Sequence, residues 1–190
     1  MVRIKKRWNQ QARPRTLAQM ANAIAGSIWK LAAEVLLNME NENFETETQG
    51  QRIDIMEETV SYLVHIVDRS VYEQASQQQR EVFISALVAD LARMLEDSRV
   101  DVQGVGEYRA DFIDKLNRRS AEYAVFRFSR GEGGSFSMRC RLGDRVAAAM
   151  GERDRRWIPD YIVGREAPEI ETALGRSLSG LVSFDNPEAG

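Results

Sequence analysis

Histidine and cysteine occur once each in the 190 residues, as His65 and Cys140. A lone cysteine excludes an intrachain disulfide and suits a reducing compartment. Its alternation with Met138 and Leu142 points to a small buried apolar group rather than a nucleophile. A lone histidine excludes the ferritin-like carboxylate centre, which needs the Glu-x-x-His pattern twice. Glycine motifs are also wanting. Gly104-Val105-Gly106 has no third glycine and follows no strand, so it does not bind a dinucleotide, and there is neither a Walker loop nor a Gly-x-Ser-x-Gly elbow. No stretch approaches the roughly 20 uninterrupted apolar residues of a membrane span, so the expectation is a soluble, cytoplasmic protein. Acids are missing before Glu34, whereas Arg3, Lys5, Lys6, Arg7, Arg13 and Arg15 crowd the N-terminus. Ala23-Ile24-Ala25 resembles a signal-peptidase site, but Gln19 and Asn22 are too polar for the apolar region before it. The basic, amphipathic start also allows an organelle transit peptide.

Apolar residues make up 43% of the chain, enough for one sizeable core. The pattern centres on residues 52–71, where Ile53, Met56, Val60, Leu63, Val67 and Val71 recur at steps of three and four. That spacing makes one stripe of an α-helix. Ile55, Tyr62 and Ile66 fall on the opposite side and form a second line, with His65 beside it. A helix apolar on two sides belongs in the middle of a bundle.

The flanking segments supply neighbours for it. Thr16 caps a helix carrying Leu17, Met20, Ala21, Ile24, Ile28, Leu31, Val35 and Met39; Ser76 caps another running to about Glu96; a fourth extends from about Glu107 to Glu122. An antiparallel helical bundle over 16–122 follows. From 124 to 142 the period changes to two. Ala124, Phe126 and Phe128 alternate with polar residues, then Phe136, Met138, Cys140 and Leu142 do the same beyond the Gly-rich loop at 131–134. This predicts a β-hairpin with one buried face, against a competing pattern in which the helix continues through Phe128. A short helix over 144–150 and a last helix over about 167–181, with Pro168 in its first turn, complete a mainly α fold. The expected organisation is a flexible basic arm over 1–15, one helical domain over 16–182 and a frayed tail over 183–190.

Net charge is −3, but residues 40–114 are strongly acidic and both ends are basic. On the hairpin's outward face, Arg127, Arg139 and Arg141, with Arg130 in the loop, would suit carboxylates or phosphates. The plain expectation is that this basic half pairs with the acidic helices, within the chain or across a dimer. The leading expectation is a non-catalytic protein acting through protein contacts, with no cofactor, no metal and no catalytic residue. Ile55, Tyr62, His65 and Ile66 are the interface candidates, because a small bundle would leave the second apolar line uncovered and favour a homodimer. The alternative is a nucleic-acid accessory protein gripping phosphates through Lys5, Lys6, Arg7 and the four hairpin arginines. A metal-dependent enzyme using His65 with Glu58 and Asp68 is a weaker third reading.

Overall fold

The computed structural model describes residues 15–184. Lys5, Lys6 and Arg7 of the basic arm lie outside them, as do the last residues of the tail. Helix α1 (Leu17–Asn41) starts at Thr16, whose side chain accepts from Gln19 N–H while Gln19 reaches back to the Thr16 backbone. Ser76 opens α3 (Gln77–Gln103) with the same reciprocal cap. These boxes satisfy amide groups that a helix start leaves unpaired, which is why both starts fall where the sequence puts them. Between them lies α2 (Gln49–Val71), followed after α3 by α4 (Tyr108–Ala124). Helix α3 outlasts its expected end near Glu96 and stops at Gly104, whose φ of 81° a residue with a Cβ rarely adopts.

Helix α2 is the centre. It packs against α1, α3, α4, α5 and α7. Every residue from Glu57 to Val67 is buried. The second apolar line is covered as fully as the first: Ile55 and Tyr62 are 0% exposed and Ile66 is 4% exposed. Ile55, Tyr62, His65 and Ile66 are therefore core residues of one chain and no interface. The expectation of an uncovered line fails because the C-terminal third, rather than a second protomer, packs on that side.

The hairpin is real but much shorter than 124–142. Strand β1 (Phe128–Ser129) pairs antiparallel with β2 (Gly133–Gly134), Phe128 opposite Gly134 and Ser129 opposite Gly133. Beyond Ser135 the chain is helical, and α5 (Phe136–Ala149) replaces both the second strand and the separate short helix. The reason lies in an ambiguity of spacing. Met138 and Leu142 are two positions apart from Cys140, but they also continue at intervals of four to Val146, and these three are buried. Cys140 ends up half-buried. A short α6 (Ile158–Tyr161) and a π-turn (Ile162–Glu166) lead into α7 (Ala167–Leu181). Helix α5 crosses α6 closely at Gly143, where a Cβ would stand 2.9 Å from Pro159 Cα.

By length and composition, α1 is long and apolar enough to cross a membrane. Here its apolar face lies against α2, α3 and α7, and Asn22 donates to Asp90 Oδ2 on α3 at 3.0 Å.

Candidate functional site

Helix α2 carries a run of buried polar groups, Glu57, Glu58, Thr59, Ser61, His65 and Ser70, and neighbouring helices contribute partners to the two carboxylates. Glu57 and Glu58 are adjacent in sequence, so their side chains diverge by about 100° around the helix. Glu57 accepts from Arg99 Nε on α3 at 3.1 Å and from Lys115 Nζ on α4 at 2.5 Å. Glu58 is gripped by both arms of Arg119 on α4, at 2.6 and 2.8 Å. Arg99 also binds Asp54, and Arg119 also binds Glu122, which in turn holds Arg145 of α5 at 3.0 and 2.6 Å. The result is a continuous ladder of alternating charge tying α2 to α3, α4 and α5. Bidentate binding to Glu58 leads the causes that push the Arg119 guanidinium up, against the effect of burial.

A second knot joins α2, the hairpin, α5 and α7. The buried Glu171 carboxylate accepts from the Tyr62 hydroxyl, from Arg139 Nε at 3.1 Å and Nη2 at 2.7 Å, and from Gly134 N–H at 3.2 Å. Burial, then the neighbouring carboxylate, pushes the Tyr62 phenol far up, so it stays protonated and donates. The Gly-rich loop is required here. A Cβ on Gly133 would fall 1.9 Å from Glu171 Oε2, and Gly133 has a φ of +80°. On Gly134 it would fall 2.7 Å from the Tyr62 hydroxyl.

Two cavities meet where Ser70, Phe128 and Arg130 converge. One, of about 590 Å³, runs along α7 and includes Arg139, Glu171 and Arg176 on its wall. The other, of about 640 Å³, is walled by His65, Asp68, Arg69, Tyr72, Arg80 and Phe128 among others. His65 is 5% exposed and its Nε2 has no hydrogen-bond partner among the described residues. Burial, reinforced by Arg69, pulls the imidazole down to about 4, so it is neutral at pH 7. Its ring tilts against Tyr123 at 5.7 Å, and the Tyr123 hydroxyl is likewise buried without a partner.

Among the sequence candidates, the structure gathers Tyr62, His65, Ile66, Arg130 and Arg139 around these two cavities. Arg127 is exposed and Arg141 half-buried, neither with an ion pair among the described residues, and Ile55 sits elsewhere in the core. Arg139 does not face outward as a strand position would place it; on α5 it turns inward to Glu171. Further basic residues of this half also pair within the chain, Arg153 with Glu45 and Arg165 with Glu42. The expected line-up of His65 with Glu58 and Asp68 does not form a site, since Arg119 takes Glu58 and Arg80 takes Asp68 through two bonds of 2.7 and 2.6 Å. Among the described residues, no group of three His, Cys, Asp or Glu could hold a metal ion.

No family model, no curated protein and no solved structure matches this chain. Sequence reasoning missed Glu171 and Arg69. Glu171 lies on an amphipathic helix where nothing marks it as inward-facing, and Arg69 is an ordinary last-turn cation until Phe128 comes to rest beneath it at 6.0 Å.

Proposed function

We propose that this is a non-catalytic helical protein that works through protein contacts, self-association among them. The supporting observation is a contrast between interior and surface. Inside, the carboxylates and guanidiniums of the central ladder and of the Glu171 knot bind one another, and such mutually satisfied groups rigidify a fold rather than transfer protons. Outside, large apolar groups stand uncovered at the base of the hairpin: Val125 is 78% and Phe136 71% exposed, with exposed Arg127 close by in sequence. Apolar side chains with a neighbouring guanidinium are the composition that protein interfaces favour. The single cysteine and the paired surface charges agree with a soluble protein of a reducing compartment.

Sedimentation velocity of the full chain over a wide concentration range tests this. The expected result is a concentration-dependent rise in mass that Val125→Ser with Phe136→Ser abolishes without loss of helical signal. A strict monomer at every concentration removes self-association. Binding to nucleic acid is a second reading, favoured by Arg127 and Arg141, which form no ion pair among the described residues, and weakened by the internal pairing of Arg139. A salt-titrated assay with mixed DNA and RNA tests it, and no retention at low salt ends it.

A further inference from the structure

The cavity beside His65 holds three observations that the contact function does not use. His65 is a wall residue, 5% exposed, whose Nε2 meets no donor or acceptor. A buried polar atom left unpaired costs free energy, so the packing around this wall residue is not fully satisfied. Arg69 also faces the cavity and, among the described residues, has no carboxylate partner; its guanidinium rests instead over the Phe128 ring at 6.0 Å. Arg130, another wall residue, is held among the described residues by the neutral Gln74 side chain at 2.8 Å. Guanidiniums without counterions are directional hosts for an oxyanion.

The remaining wall residues narrow the guest. Arg80 is already committed to Asp68 through both arms, and Glu73 is acidic. Three arginines thus oppose two carboxylates, leaving one net positive charge. The carbonyl end of α2 adds partial negative charge nearby. A dianion is disfavoured in that balance, whereas one negative charge is accommodated. Phe128, Tyr72 and Ala124 add apolar wall, and about 640 Å³ exceeds the volume of a single anionic head group.

We propose that this cavity is a binding site for an organic monocarboxylate with a flat apolar body, its carboxylate between Arg69 and Arg130 and its body along Phe128 and Tyr72. His65 forms part of the wall beside that body.

His65 is the only histidine in the chain, so its imidazole nitrogens report this cavity alone. The full chain, labelled with ¹⁵N, is titrated with 2-naphthoate, with the neutral 2-naphthylmethanol and with inorganic phosphate while the imidazole signals are followed. The expected result is a saturable shift with 2-naphthoate, with both other probes at least about tenfold weaker, because only the carboxylate combines charge and apolar area. Arg69→Gln is expected to weaken 2-naphthoate by about tenfold or more. If that variant loses its helical signal, Arg130→Gln, at an exposed loop position, takes its place. The proposal is overturned by the absence of a saturable shift up to about 10 mM 2-naphthoate. Equal binding of the alcohol, equal binding of phosphate, or wild-type affinity in the folded arginine variant overturns it as well.

Discussion

Arg139 of α5 and Glu171 of α7 meet through two parallel hydrogen bonds, 3.1 Å from Nε and 2.7 Å from Nη2. That fork closes the C-terminal third onto the central helix, because the same carboxylate also takes Tyr62 of α2 and the Gly134 amide. Arg139→Met removes the charged partner while the Glu171 side chain stays 5% exposed. The expected loss is about 3 kcal/mol, the cost of stranding a buried carboxylate. Urea denaturation measures it; a loss below about 1 kcal/mol would put this fork in the class of surface pairs.

Gly133 and Gly131 separate geometry from loop flexibility. Gly133→Ala forces a Cβ to within 1.9 Å of Glu171 Oε2 at a φ of +80°, whereas nothing lies within 4 Å of a Cβ on Gly131. Thermal melts are expected to show Gly133→Ala destabilised by about 2 kcal/mol or more, with Gly131→Ala within about 0.5 kcal/mol of wild type. Equal effects at the two positions would mean that the hairpin does not sit on the Glu171 carboxylate.

Glu58 and Arg119 test whether the ladder acts as a unit. Each is almost enclosed, with side-chain exposures of 6% and 14%. Arg119→Met alone is expected to cost about 3 kcal/mol, since among the described residues only Lys115, at 3.7 Å, then pairs with Glu58. Adding Glu58→Gln is expected to recover part of that loss, giving a coupling of about 1 kcal/mol or more in a double-mutant cycle. Strict additivity would show two independent contacts.

His65 links stability to pH. Its imidazole is held down at about 4, against 6.5 for the free group. The unfolded chain therefore takes up a proton near pH 6.5 that the folded chain refuses until about pH 4. Stability falls as pH drops through that window and the loss levels off below it. The full effect is at most about 3 kcal/mol. His65→Gln is expected to flatten the fall between pH 6.5 and 4.5 in urea titrations, leaving the slope that the carboxylates contribute. Identical slopes for the two proteins would show that His65 is solvated.

Much of the fold is legible in local pattern. The Thr16 and Ser76 caps and the two apolar lines of α2 are short-range signals, and they give helix starts and a central helix directly. The hairpin shows where such patterns fail. Met138, Cys140 and Leu142 satisfy both a period of two and part of a period of four, and the choice is made by Ser135, which caps a helix, and by the burial of Val146 a turn further on. The candidate site is legible only in part. His65, Arg130 and Arg139 stand out as rare or clustered residues, but Glu171 and Arg69 look like ordinary helix-surface charges.

The amino-acid order alone determines that this chain is mainly helical, that residues 52–71 run through its middle, and that acid and base are segregated along its length. It does so because helical period and capping are set by neighbours three and four positions apart. Tertiary structure decides which charges are buried, which arginines keep a free fork and what covers the second apolar line. Those outcomes depend on residues brought together from opposite parts of the chain, such as Tyr62 and Glu171, whose meeting no local spacing encodes.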